Sequence, residues 1–367
     1  MTLSAWDDFP VHQAAEFVRH PATSDRNFYD RYYFNMHPCS DEWFAIFGFG
    51  QYPNLGVVDA FVDVRMGSGQ HIVRASKPLG DRGDLTVGPF RIEVLEPLRR
   101  LRFVVEPTEH PVAMDITWEG HIPAVAEPHQ FVRGKEKVIF DTQRLAQTGT
   151  WTGSMTVSGE RIEVTPDRCW GNRDRSWGVR PVGEAEPGGI REGDMVLPGM
   201  WTYFPMQFED HAILYICNER DDGIRPLVQG ERVWSDPARG IDELGPSEHE
   251  HRLEPGTRVV QSSLVRFPET GIEIDCQVLL TNWISVGTGY GIDADWRHGM
   301  YHGPEPVVQG LVLDVDEIRG IAGYGLIDHV ATFSYADQIG YGLLEQGFFG
   351  PYRRYGMTDG IMGSPGS

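Results

Sequence analysis

"GTWTGSMTVSGERIEVTPDRCWGNRDRSWGVRP", residues 149–181, is where the reading of the fold is decided. Residues 149–166 alternate on both sides of Ser158-Gly159, a dipeptide of the kind that two-residue hairpin turns prefer. That period of two predicts antiparallel strands. Residues 169–181 continue at once but hold three arginines, an aspartate, two tryptophans and a cysteine. The run is too polar for an ordinary core strand and too aromatic for a solvent loop. As a strand it splits by parity: Trp170, Asn172, Asp174, Ser176 and Arg180 on one side, Arg173, Arg175, Trp177 and Val179 on the other.

Outward from this run the chain reads as β. "RYYFNMH" (31–37), "WFAIFGFG" (43–50), "GVVDAFVDVR" (56–65), "QHIVRAS" (70–76), "FRIEVLEP" (90–97), "LRFVVEP" (101–107) and "AMDITWEG" (113–120) are rich in β-branched and aromatic residues and end in turn formers. Residues 181–198, rich in Gly, Pro and Glu, read as a linker. A second series follows: "MWTYFPMQF" (200–208), "HAILYICN" (211–218), "TRVVQSSLVRF" (257–267), "IEIDCQVLLTN" (272–282), "VQGLVLDVD" (308–316) and "GYGLIDHVATF" (323–333). Two sets of short strands at hairpin spacing predict two similar β barrels or sandwiches. "ADQIGYGLLEQGFF" (336–349) is the one strong helix candidate, weakened by its glycines.

Composition narrows the partners. The 32 basic and 53 acidic residues give a formal charge of −21, which repels nucleic acid and anionic lipid. No apolar run approaches the roughly 20 residues of a membrane span, and no basic-plus-apolar leader opens the chain. Cys39, Cys169, Cys217 and Cys276 form no CxxC pair, so reduced thiols and a cytoplasmic location are expected. "GSGQ" (67–70) lacks the lysine and helix of a phosphate loop, "GFGQYPNLG" (48–56) precedes no helical pattern, and no GxSxG elbow occurs.

Four stretches carry candidate chemistry. In the polar run, buried arginines need carboxylate or carbonyl partners. An aspartate held between them stays ionised unless deeply buried. Arg173 and Arg175 fit a structural ion-pair knot, and Asp174 and Trp177 fit a structural or a functional role equally. "WRHGMYHG" (296–303) sets His298 and His302 four apart around Tyr301, a spacing that puts both imidazoles on one side of a strand. "MWTYFPMQF" alternates Trp201 and Tyr203 against Phe204 and Met206, one face core and the other an aromatic wall bearing a phenol. "YYFNMH" presents Asn35 among core aromatics. His110, His121, His129, His249 and His251 read as surface residues.

"GNRDRSWGVRP" resembles the signature of the carotenoid 1,2-hydratase (hydroxyneurosporene synthase) superfamily, including its AttH-like tandem-lipocalin relatives. "YYFNMH", "YPNLGVVDAF" (52–61), "WTYFPMQF" and "WRHGMYHG" agree with it. The resemblance implies two lipocalin-like barrels with the signature lining a cavity near their contact. The resulting expectation is all-β: an N-terminal segment (1–27), a first barrel (28–180), a linker (181–198), a second barrel (199–335) and a C-terminal extension with a short helix (336–367).

The expected activity is that of a cofactor-independent lyase, hydratase or isomerase acting on a hydrophobic small molecule such as an isoprenoid, steroid or aromatic metabolite. Asp174, His298 and Tyr203 are its candidate proton carriers. Arg173, Asn172, Trp177, Arg180, Trp170, Trp201, Tyr301, His302 and Asn35 would bind or orient the substrate. No cofactor or metal is called for, and a homodimer stays open. The alternative is a noncatalytic carrier or sensor of the same ligand class.

Overall fold

The computed structural model of the chain describes residues 20–134, 137–184 and 199–358. Residues 185–198 of the expected linker, the first nineteen of the N-terminal segment and 359–367 of the extension lie outside the described residues.

Two antiparallel sheets curl into tandem lipocalin-like barrels. The first runs, in spatial order, through Val307–Asp314, Gly69–Pro78, Val57–Met66, Trp43–Tyr52, Phe28–Met36, Trp170–Val179, Lys137–Val157, Val112–Gly120, Arg100–Val105 and Phe90–Glu96. The second runs through Leu227–Trp234, His211–Glu219, Gly199–Gln207, Gln338–Phe349, Ile327–Tyr335, Ile272–Asn282, Val260–Phe267 and Glu248–Leu253. The hairpin at Ser158-Gly159 forms as its sequence dictates. Val157 pairs with Glu160, and both turn residues are left-handed (φ 47° and 91°).

Strand parity builds the three largest cores among the described residues. Phe34, Phe47, Phe103, Trp118 and Trp151 fill the first barrel. Phe204, Tyr215, Phe267 and Phe333 fill the second. Tyr33, Phe44, Ile46, Trp201, Tyr203, Leu214 and Leu343 pack between the two sheets. Trp43–Tyr52 is therefore buried along its whole length, with a barrel interior on one face and the seam on the other.

Three expectations are corrected. "ADQIGYGLLEQGFF" is not a helix: Gln338–Phe349 is a strand between Gly199–Gln207 and Ile327–Tyr335. Its glycines permit close strand approach, since a Cβ at Gly342 would lie 2.1 Å from the Pro205 carbonyl oxygen. The one α-helix among the described residues is Val315–Ala322, capped by the Asp314 side chain. "VQGLVLDVD" leaves the second series, because Val307–Asp314 pairs with Gly69–Pro78 and extends the first sheet. His249 and His251 are not surface residues; Glu248–Leu253 alternates, and both turn inward and are buried. Among the described residues no helix is long and apolar enough to cross a membrane.

Candidate functional site

A cavity of about 850 Å³ lies at the seam. The signature strand Trp170–Val179 sits between Phe28–Met36 and Lys137–Val157, pairing Asp174 with Tyr33 on one side and Ala146 on the other. Parity turns Asp174 and Ser176 toward the cavity, where Arg180 joins them just past the strand end. Gly199–Gln207 contributes Trp201 and Tyr203, the loop after Asn282 contributes Tyr290 and His298, and Gln338–Phe349 contributes Glu345. Both barrels are needed to make the wall.

Asp174 makes no hydrogen bond or ion pair among the described residues. Burial pushes its carboxyl up to about 7, opposed by Arg144 and Arg31 and assisted by Glu127 and Glu345. The sequence had placed Asp174 between Arg173 and Arg175, but parity sends those two to the other face. Arg175 pairs with Asp30 and lies 3.9 Å over the Tyr32 ring. Arg173 Nε donates to Gln147 Oε1 at 2.8 Å, and burial lowers its guanidinium to about 10. Half of the expected ion-pair knot therefore exists: Arg175 has a carboxylate and Arg173 has a carboxamide.

Among the described residues the buried Tyr203 hydroxyl has no hydrogen bond of good geometry, with Glu127 the nearest acceptor in influence, and burial, then Glu127 and Asp174, hold its phenol well above its ordinary value. Beside it Arg144 pairs with Glu127 at 2.5 Å, 5.4 Å over Trp201 and 5.6 Å over Tyr203. Trp201 Nε1 donates to Glu345 Oε1 at 2.5 Å. Behind Glu345, its cross-strand partner Asp328 accepts from the Tyr33 hydroxyl at 2.6 Å. Burial raises both carboxyls, and Glu345 raises Asp328 further, so the pair cannot hold two negative charges near neutral pH.

His298 Nε2 lies 3.0 Å from the Thr288 carbonyl and must donate to it, leaving Nδ1 to accept from Arg31 Nη1 at 2.6 Å. Burial, then Arg31 and Arg180, hold this imidazole well below its ordinary value, so it is neutral.

The remaining candidates lie outside the cavity wall. Asn35 and Asn172 clasp each other, with Asn172 N–H donating to Asn35 Oδ1 at 2.9 Å. Trp170 meets Tyr341 edge-on at 6.0 Å across the seam. Trp177 stands half-buried on the Arg175 face. "WRHGMYHG" is irregular, so strand parity does not apply to it. His302 stacks on Trp296 at 4.1 Å, and Tyr301 is 51 % exposed. Sequence reasoning passed over Arg31, Arg144, Tyr290, Asp328 and Glu345. An acid set between Ile327 and Val330 in the strand stretch "GLIDHVATF" was the available signal for Asp328.

A comparison with curated proteins gives no match. The fold is similar to that of an AttH-like protein from Nitrosomonas europaea, with TM-score 0.54 and 14 % identity over 92 % of this chain and 98 % of that one. Kievitone hydratase from Nectria haematococca aligns with TM-score 0.46 and 15 % identity over 87 % and 88 % of the two chains. Residues 3–358 match the profile of a family of unknown function. With nearly its whole length matched, the chain belongs to that family, DUF8625.

Proposed function

We propose that this protein is a cofactor-independent lyase, hydratase or isomerase that moves a proton on a hydrophobic small molecule of isoprenoid, steroid or aromatic type, bound in the seam cavity. One observation carries the reading: the Asp174 carboxyl stands unpaired in a roomy aromatic cavity, with burial pushing it up to about 7. A carboxyl poised there can give a proton to carbon and take it back. The rings of Trp201, Tyr203 and Tyr290 would stabilise a developing cation through their faces.

In a hydration, the Asp174 proton forms the C–H bond and the oxygen of water forms the C–O bond. The surplus proton of that water returns to a carboxylate, so none is consumed overall. Glu345, facing the cavity from the other barrel, is the second carboxyl of this scheme, with Asp328 sharing its proton. Tyr203 serves as a hydrogen-bond donor. His298, whose Nδ1 is taken up by Arg31 and whose Nε2–H is held by Thr288, acts as a positioning residue and transfers no proton.

The test begins with the ligand carried through purification, identified by mass spectrometry and then incubated with the protein in D₂O. The wild type should incorporate deuterium at carbon, and folded Asp174→Asn should not. A ligand that stays bound to wild type and never exchanges would make the protein a carrier.

A further inference from the structure

We infer that the cavity's ligand carries an anionic group, a carboxylate being the best match, seated where Arg31 and Arg180 converge on His298. This deepens the function proposed above and rests on the seam cavity being the ligand site.

The first observation is a charge without a partner. Arg31 is 3 % exposed and Arg180 half-buried, and both line the cavity. Their guanidiniums approach the same nitrogen, His298 Nδ1, at 2.6 Å and 3.5 Å. That nitrogen belongs to a neutral ring. Neither arginine makes an ion pair among the described residues, and Arg31 Nε, Arg31 Nη2 and Arg180 Nε have no hydrogen-bond acceptor. The acid nearest in influence, Asp59, is engaged by the Tyr52 hydroxyl and the Gly299 N–H instead. Elsewhere Arg144 has Glu127 and Arg175 has Asp30, while buried Arg74 and Arg173 are answered by the carboxamides of Gln309 and Gln147 and stand away from the cavity. A buried guanidinium without a bonded carboxylate is costly, so Arg31, with half-buried Arg180 beside it at the same cavity wall, makes a standing demand for an anion.

The second observation is that the site is built to hold these charges. A Cβ on Gly48 would meet Arg31 Nη2 at 3.1 Å, and one on Gly50 would meet Arg31 Cγ at 2.9 Å, so two glycines make the room for this side chain. Tyr290 lies 5.3 Å from Arg31, and Tyr29 lies 4.5 Å from Arg180, each under the guanidinium. His298 stacks on Phe61 at 5.8 Å, which fixes the nitrogen both arginines address.

The third observation is the sign of the wall. The cavity is lined by five arginines (26, 31, 144, 180, 297) and three carboxyls (Asp174, Glu184, Glu345), in a chain whose acids outnumber its bases 53 to 32. Two of those three carboxyls are held up by burial. The planar fork of a guanidinium matches a carboxylate best, and the aromatic remainder of the wall calls for an apolar body.

The experiment is isothermal titration with 2-naphthoate and with 2-naphthylmethanol, which share a ring system and differ in charge. Wild type should bind the carboxylate at least about tenfold more tightly than the alcohol. Arg31→Gln and Arg180→Gln should each reduce that preference and together abolish it. Unchanged binding of the alcohol would show that the cavity still stands. Equal affinity for the two probes, no binding of either, or a preference that survives both substitutions overturns the inference. Asp174→Asn should keep the preference, so a failure of the proton-transfer reading leaves this result distinguishable.

Discussion

In the second barrel, Glu219 accepts from the Tyr352 hydroxyl and from Arg225 Nε, the latter at 2.7 Å, and Arg354 Nη1 reaches it at 3.4 Å. In the seam cavity, Asp174 accepts from nothing among the described residues. Burial alone would raise both carboxyls. The hydrogen bonds from Tyr352 and Arg225 hold Glu219 below its ordinary value, whereas Asp174 rises to about 7.

The histidines differ as well. His249 Nε2 lies 3.0 Å from Arg354 and its Nδ1 3.3 Å from the Tyr215 hydroxyl, closing a polar network inside the barrel. Donor atoms of Cys217, Glu219 and His249 lie within 4.8 Å of one another. Two arginines already neutralise the glutamate, Arg354 addresses the histidine, and burial keeps the thiol protonated by pushing it up to about 11. A cation would have to displace both guanidiniums. The contrast separates a polar cluster that answers itself inside a barrel from one whose carboxyl and guanidiniums stay open at a cavity wall.

Four changes would break or sharpen this contrast. The largest effect is expected at the closed cluster: Glu219→Ala strands Arg225 and Arg354 and should cost about 3–5 kcal/mol in chemical denaturation. Gly48→Ala, whose Cβ would lie 2.8 Å from the Phe61 ring and 3.0 Å from the Tyr32 carbonyl, should cost about 1–3 kcal/mol. It should also weaken the 2-naphthoate preference by shifting Arg31.

Asp174→Asn should act in the opposite direction. A carboxyl at about 7 when folded and 3.8 when unfolded keeps its proton in the folded state longer than in the unfolded one. Its contribution to stability therefore falls as pH rises from about 4 to 7. The variant should lose less stability over that window, and at pH 8 it should exceed wild type by about 1–2 kcal/mol. A steeper loss in the variant would mean that Asp174 is paired after all. The smallest effect is expected at the exposed pair Arg168–Glu42, where Arg168→Ala should change stability by less than about 0.5 kcal/mol.

The fold was largely legible because alternation is a local property. The hairpin at Ser158-Gly159 and most strands of both sheets stand where period two put them. The helix at 336–349 was misread because an apolar run broken by glycines suits a central strand as well as a weak helix, and only a neighbouring strand decides between them. The site was legible in part. Asp174, Arg180, Tyr203, Trp201 and His298 meet at one cavity, while Asn35, Asn172, Arg173, Trp170, Trp177, Tyr301 and His302 do not line it.

By itself, then, the sequence determined the β pattern, most of the strands in each series and the face on which Asp174 would stand, because each depends on neighbours two residues away. Tertiary structure alone decided which charges have partners. Asp174 is turned away from the arginines beside it in sequence and feels only the more distant charges of Arg144 and Arg31, Glu345 arrives from the other barrel, and His298 is neutral because it is buried beside Arg31 and Arg180. Pairing and burial of charge are set by contacts between residues far apart in the chain, and those same contacts turn a polar strand into the wall of a cavity.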